Sequence, residues 1–421
     1  AVLDLGASKV AGLTWQMAAE PAADGAPDIG LRTPSIGAFR VIGAATTRSR
    51  GVDFGEIVAM DETERAIRTA VQGAQKMART RADHVMVCFS GGRPRSYGVD
   101  GNTEVENGEV LERDIGHLLA TCDIPDYGAD RDVIHAMPVN FTLDKRTGLS
   151  DPRGQVGTEL SVDMHILTVS AQSVQNLLHC IHRCDLELAG LAISSFVSGV
   201  SSLVEDEQEL GAACIDLGGG TTGVSVFLKR QMIFADTVRL GGDHITRDIC
   251  QGLQIPMSVA ERIKSFNGGV IATGMDDRDM IEVPSPLGDW EHERRQISRS
   301  ELIGVIRPRM EEIFDEVRAR LDAAGFEYLA SQRIVLTGGG SQMPGLETLA
   351  ARYLGPHVRI GRPLRVQGLP QAATGSAFSA AVGLALYISH PQDECWDFEV
   401  PADSRGGRRV RQAMRWFRDN W

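Results

Sequence analysis

The sequence predicts an α/β protein of two similar lobes around a nucleotide cleft, with an inserted α/β unit and an amphipathic helix at its end. Three observations carry this. The opening Val2-Leu-Asp-Leu-Gly6 returns as Cys214-Ile-Asp-Leu-Gly218, a strand–aspartate–glycine turn repeated half a chain later. Such a repeat implies two like-folded halves. A third glycine turn, Gly338-Gly339-Gly340, follows the apolar run Ile334-Val-Leu336. The last residues, from Ser404, carry six arginines and one aspartate, a formal +5 on a chain of net −13.

A chain of 421 residues with 43% hydrophobic and 24% charged content is long enough for two to four domains with real cores. No run of about 18 uncharged apolar residues offers a membrane span, and no secretory signal peptide is read. The chain opens at Ala1 inside a strand pattern, so further residues are expected upstream. The acidic body argues against nucleic-acid binding. Seven scattered cysteines, Cys88, Cys122, Cys180, Cys184, Cys214, Cys250 and Cys395, read as reduced and cytoplasmic. His179, Cys180, His182 and Cys184 resemble a metal cluster in spacing. The stripe Val174, Leu177, Leu178, Ile181 and Leu188 instead places the two cysteines in an amphipathic helix, where burial is usual.

The elements follow in order. Residues 2–15 read as strand, glycine turn, strand; 21–27 as a polar turn; 41–45 as a strand. A helix is expected over 56–79, with Ile67, Ala70, Val71, Ala74, Met77 and Ala78 on one face. The texture changes over 83–165. A strand at 85–89, loops at 91–94 and 98–108, a helix over 111–122 and strands over 131–141 and 159–169 form a unit of their own. A helix over 172–184 and a strand over 186–193 precede the second copy of the aspartate turn. Two helical stretches within 256–320 flank a middle rich in glycine, proline and charge, 268–295. The polar segment 392–407, with Pro401, reads as a linker. Beyond it Val410, Ala413, Met414, Phe417 and Trp421 form one helical stripe, flanked by Arg408, Arg411, Arg415 and Arg418, with Trp416 off its centre. A basic helix with aromatic residues on its apolar face suits an anionic membrane surface.

The glycine turns carry the chemistry. Backbone N–H groups freed by glycine can wrap phosphate oxygens. Asp4 and Asp216 would face one nucleotide from two sides and hold Mg²⁺ through water. Ser8 and Lys9 on one turn, and Thr221 and Thr222 on the other, add hydroxyls and a cation. The backbone of Gly338 to Gly340 can lie against an adenosine. No Walker P-loop sequence occurs.

The order phosphate loop, phosphate loop, adenosine loop resembles the actin-like ATPase superfamily. Within it the chain is similar to the bacterial cell-division FtsA family over essentially its whole length. Residues 214–226, 334–346, the Val283-Pro-Ser285 stretch with its downstream helix, and the basic tail carry the match. The resemblance implies an inserted subdomain 1C at 83–165. It also implies a lobe 1A of 1–82 with 166–190 and 372–391, a lobe 2A of 191–238 with 305–371, and a subdomain 2B at 239–304. The linker 392–407 and the membrane-targeting helix 408–421 complete it. ATP and Mg²⁺ are the implied cofactors, with Gly6, Gly218, Gly219, Gly220, Gly242, Glu261, Lys264 and Met343 joining the residues above at the nucleotide. Glu261 and Lys264 match the superfamily pair flanking ribose and base.

The resemblance further implies a polymerising scaffold on the cytoplasmic side of the inner membrane at the division site. Its partners would be the FtsZ C-terminal tail, further copies of itself, later division proteins through the inserted unit, and anionic lipid. Arg294, Arg295 and Arg299 are candidate contacts for the FtsZ carboxylates. The chain departs from MreB and the chaperones at 191–198, Leu-Ala-Ile-Ser-Ser-Phe-Val-Ser, which has no carboxylate or amide to position the attacking water. ATP binding with slow or negligible hydrolysis follows. A metabolic kinase of the same fold would leave the basic tail unexplained. PilM, a pilus-assembly relative with a similar insertion, lacks a terminal amphipathic helix.

Overall fold

The computed structural model describes residues 1–17, 39–122, 124–285, 294–363, 366–389 and 394. The repeat in the sequence is a repeat in topology. One five-stranded sheet runs Phe39–Arg48, Lys9–Met17, Val2–Leu5, His84–Phe89, Glu187–Ile193. The other runs Gln231–Val238, Thr222–Leu228, Ala212–Leu217, Arg333–Thr337, Val358–Ile360. In both, the first two pairings are antiparallel and the last two parallel. Each aspartate lies on the central strand, where its neighbours are an antiparallel and a parallel strand. Asp4 stands opposite Ala11 and Cys88, and Asp216 opposite Gly223 and Thr337.

Each sheet is buried by helices with the apolar faces that the sequence implies. Met60–Ala78 buries Ala66, Ile67, Ala70, Val71 and Ala74, whereas Met77, expected on that face, is exposed. Ala171–Arg183 buries Val174, Leu177, Leu178, Cys180 and Ile181, so Cys180 packs in the core and Cys184 is buried at the helix end. In the second lobe Arg299–Ala323 lays Leu302, Ile306, Met310, Ile313 and Val317 into the core. Pro308 lies inside this helix, where it removes one backbone N–H donor.

The strand at 84–89 does not belong to the inserted unit, where the expected boundary at 83 would put it. His84–Phe89 pairs in parallel with Val2–Leu5 and with Glu187–Ile193. Val85 to Phe89 is an unbroken buried run, as a central parallel strand covered on both faces requires. The first sheet likewise extends to Ile193, beyond the expected boundary at 190. The inserted unit is a four-stranded antiparallel sheet, in the order Arg95–Glu104, Glu159–Ser170, Arg131–Leu143, Arg146–Leu149. It has its own core, in which Ile115, Leu118 and Leu119 of the helix Glu112–Thr121 pack on Phe141, Leu160, Val162 and Ile166.

Two helices lie where the lobes meet. Ser194–Ser202 is buried on nearly every face, and Ser379–Ser389 packs against it. A Cβ at Gly383 would fall 1.7 Å from the Val197 carbonyl oxygen, so only glycine permits the two backbones to approach this closely. Serine hydroxyls here bond the neighbouring backbone: Ser201 donates to Ser379 O at 2.7 Å, and Ser225 to Ser195 O at 2.8 Å.

The expected linker is anchored near its start. Glu394 is 1% exposed. Its carboxylate accepts from His135 Nδ1 at 3.0 Å, from Ala136 N at 3.1 Å and from the Tyr387 hydroxyl. Ile193 N donates to His135 Nε2 at 3.3 Å, which assigns the ring proton to Nδ1. One carboxylate thereby joins the inserted sheet, the last helix and, through the imidazole, the edge strand of the first lobe. The residues expected to meet the membrane, Arg408, Val410, Arg411, Met414, Arg415, Trp416, Phe417, Arg418 and Trp421, lie outside the described residues.

Candidate functional site

Both aspartate turns and the third glycine turn open into one cleft of about 410 Å³ between the lobes. Asp4, Gly6, Ser8, Lys9, Asp216, Gly218, Gly219, Gly220, Thr221, Gly242, Glu261, Lys264, Gly338, Gly339, Gly340 and Met343 all line it. The turns place them. In each hairpin the strand ends at the aspartate and leucine, and glycine reverses the chain: Gly6 N donates to Lys9 O at 3.1 Å, and Gly218 N to Thr221 O at 2.9 Å. The two turns nearly touch. A Cβ at Gly219 would lie 2.9 Å from Ser8 Oγ, and one at Gly220 2.8 Å from the Ala7 Cβ.

Thr222 is the exception among the expected site residues. Side chains alternate along a strand; Thr221 faces the cleft, and Thr222 turns its hydroxyl to the Leu240 carbonyl at 2.9 Å. Glu261 and Lys264 form a closed group at the other end. Lys264 Nζ lies 2.7 Å from Glu261 Oε2, 2.7 Å from Thr246 Oγ1 and 2.9 Å from Gly242 O. Thr246 in turn donates to Glu261 Oε2 at 2.6 Å. Both residues lie on the helix Met257–Asn267, face the cleft from there, and tie it to Gly242 and Thr246 of the helix Gly242–Leu253.

Electrostatics separate the two carboxylates from ordinary surface acids. Burial pushes the Asp4 carboxyl up to about 6; Lys9 opposes this and Asp216 adds to it. Burial also raises Asp216, against a 2.6 Å hydrogen bond from Ser198 Oγ and the charge of Lys9. Lys9 donates to the Ala377 carbonyl and stands 3.8 Å from the centre of the Phe378 ring. Gly338 holds φ 81° and ψ 171°, a backbone reserved for glycine. A Cβ there would fall 2.3 Å from Asp216 Oδ1.

Sequence reasoning passed over Ser90, Ser194, Ser195 and Asp243, which also line the cleft. Ser195 is 2% exposed, and its hydroxyl has no partner among the described residues. The stretch 191–198 has no acid or amide, and serine hydroxyls alone carry no signal of a site. Asp243 follows the Gly241-Gly242 pair at a helix start, a phosphate-loop pattern that local spacing does show. The FtsZ-tail candidates divide. Arg294 is exposed. Arg295 donates to Leu253 O at 2.6 Å. Arg299 is not an open contact: it pairs with Asp276 at 2.6 Å and donates to Asn267 O at 2.8 Å and Gly268 O at 3.3 Å. Its guanidinium caps the end of Met257–Asn267, where free carbonyls and the helix dipole favour a cation.

Known proteins share this arrangement. Residues 213–383 match the family described as cell division protein FtsA, and residues 91–168 the SHS2 domain inserted in FtsA. The chain is 39% identical to cell division protein FtsA of Rhizobium meliloti (strain 1021), over 92% of this chain and 86% of that one. It is 36% identical to FtsA of Agrobacterium fabrum, over 100% and 94%, and 28% identical to FtsA of Escherichia coli (strain K12), over 99% and 96%. A structure titled PilM-PilN type IV pilus biogenesis complex superposes with a TM-score of 0.60 at 16% identity, covering 92% of this chain and 98% of that one. MreB5 of Spiroplasma citri bound to ADP superposes with a TM-score of 0.53 at 13% identity, covering 92% and 96%. The two matched lobes and the inserted sheet are thus the actin-like ATPase fold with an SHS2 insertion, and the chain belongs to the FtsA family of cell-division proteins.

Proposed function

We propose that the cleft binds ATP with Mg²⁺ and that the protein is a polymerising scaffold tethering FtsZ filaments to the cytoplasmic face of the inner membrane. The observation that carries the nucleotide reading is the convergence of three glycine turns and two aspartates, Asp4 buried and Asp216 half-buried, on one cleft. The residues fit the ligand. Gly218 to Gly220 leave a cradle that side chains would fill, and the Ser195 hydroxyl is an unused donor facing it. Asp4 and Asp216 would hold Mg²⁺ through water; Ser8, Thr221 and the glycine N–H groups would hold phosphates; Glu261, Lys264 and Met343 would border the nucleoside. Magnesium would neutralise charge on the phosphates. Turnover would be slow, because Ser194 and Ser195 are what the 191–198 stretch brings to the cleft and serine is a weak base. The relative MreB5, whose structures carry ADP and AMPPNP, supports the choice of ligand.

Membership of a cell-division family supports the scaffold role. The sequence of the tail, and the absence among the described residues of a helix able to cross a membrane, support peripheral attachment. The FtsZ tail would meet the 2B region near the exposed Arg294, self-association would form filaments, and the inserted unit would recruit later division proteins. Co-sedimentation with anionic liposomes tests the tether: the full chain should bind and a chain ending at Asp403 should not. Unchanged binding by the shorter chain would end the tether reading. Phosphate release in a single turnover, as fast as in an active chaperone ATPase, would end the slow-hydrolysis reading.

A further inference from the structure

A second cavity, of about 230 Å³, lies where three parts of the chain meet. Phe54 and Glu56 come from the first lobe. Ser90 to Arg95 come from the crossing into the inserted sheet. Asp236, Thr237 and Arg239 come from the outer strand of the second lobe and the turn after it. Three arginines line it, Arg93, Arg95 and Arg239, all solvent-exposed. Among the described residues no carboxylate pairs with any of them, unlike the arginines at the neighbouring lobe contacts such as Arg247 with Asp53 and Arg320 with Asp236. Arg239 instead stands 4.5 Å from the centre of the Phe54 ring.

The two acids in the wall are already engaged. Asp236 Oδ2 pairs with Arg320 Nε at 3.0 Å and Oδ1 accepts from Thr237 N at 2.7 Å. Glu56 Oε1 accepts from Gly92 N at 2.8 Å. The Thr237 hydroxyl is buried without a partner among the described residues. Phe54 and Arg93 both hold left-handed backbones, at φ 50° and φ 48°, a conformation uncommon for non-glycine residues. The cavity therefore gathers three arginines against two acids, with a basic excess.

We propose that this cavity is a binding site for a small, multiply charged anion of the phosphate class, which joins the two lobes to the root of the inserted unit. Planar guanidinium forks match phosphate oxygens two at a time. The volume is below the roughly 300–1,000 Å³ of pockets for drug-sized ligands, so inorganic phosphate or pyrophosphate fits and a nucleotide does not. Ser90 lines both this cavity and the cleft, so occupancy here reaches the wall of the nucleotide site.

Pyrophosphate titrated into the full chain by calorimetry, with AMPPNP in excess to fill the cleft, tests the proposal. One site should remain. Arg93→Gln with Arg95→Gln should weaken it at least tenfold, and Arg239→Gln should do so independently. Pyrophosphate should raise the thermal midpoint of the parent chain and not that of the double variant. Equal affinity in parent and variants would overturn the proposal, as would binding abolished by AMPPNP or no binding at millimolar pyrophosphate. The charge-keeping variant Arg93→Lys with Arg95→Lys should retain part of the affinity; a loss as complete as with glutamine assigns the site to the fork geometry rather than to charge alone.

Discussion

Replacing Glu394 by alanine should destabilise the protein far more than its place between the last helix and the tail would suggest. The carboxylate is the acceptor for three buried donors: His135 Nδ1–H, Ala136 N–H and the Tyr387 hydroxyl. His135 is fully buried and its other nitrogen already accepts from Ile193 N, so the ring cannot turn to a new acceptor without breaking that bond. A buried donor left unmade costs about 1–3 kcal/mol. The tyrosine hydroxyl can rotate and recover part of its share, which brings the expected loss to about 3–5 kcal/mol. That is a large fraction of a net stability of about 5–15 kcal/mol. Glu394→Gln keeps one acceptor oxygen and should lose about half as much. Urea unfolding followed by far-ultraviolet circular dichroism gives both values. A loss under about 1 kcal/mol for the alanine variant would refute the argument. The result also governs how tail truncations are read: a chain ending at Asp403 keeps the anchor, whereas one ending before Glu394 removes it.

Two further substitutions probe other regions. Gly338→Ala forces a side chain into a glycine-only backbone, at about 1–3 kcal/mol, and against the Asp216 carboxylate. Affinity for a fluorescent ATP analogue should fall at least about tenfold, and an unchanged value would count against the cleft as the nucleotide site. His165, in the strand Glu159–Ser170, is pushed down to about 3 by burial and by His135, with the Met232 backbone opposing. Its proton prefers the unfolded chain, whose histidine titrates near 6.5. Its contribution is therefore complete above pH 6.5 and is lost as pH falls towards 3, by about 1.4 kcal/mol per unit, or roughly 2 kcal/mol at pH 5. His165→Gln should flatten this limb in urea titrations at pH 7 and pH 5; an identical slope would remove His165 as its source.

What the sequence made legible was local. The aspartate turns, the third glycine turn and the helix faces each sit within a dozen residues, and glycine or an apolar period signals them directly. The strand Val85 to Phe89 was legible as a strand, but its sheet was not: an unbroken apolar run says that it is buried on both faces and not against which partner. Thr222 was misplaced by counting hydroxyls without counting alternation. Arg299 read as a surface arginine because its three acceptors come from 23 to 32 positions earlier. Glu394 was out of reach altogether, since His135 is 259 positions away and an acidic residue in a polar stretch has no feature that marks it as buried.

The charge balance of the cleft gives the nucleotide reading its physical basis. Asp4 is buried and Asp216 half-buried, and each is pushed towards its neutral form. Lys9 is the cation whose field reaches both, while Lys264 is held by Glu261. Buried carboxylates without full compensation are costly, and a fold selected for stability alone would replace one of them with an apolar residue. Their retention at equivalent positions of two matched sheets is intelligible if a divalent cation completes the balance. The glycine turns beside them then have a purpose too, because their N–H groups favour the anion that such a cation brings. The same reasoning separates this cleft from the arginine-lined cavity that shares Ser90: one has an excess of acid and suits a metal–phosphate pair, the other an excess of base and suits a bare anion.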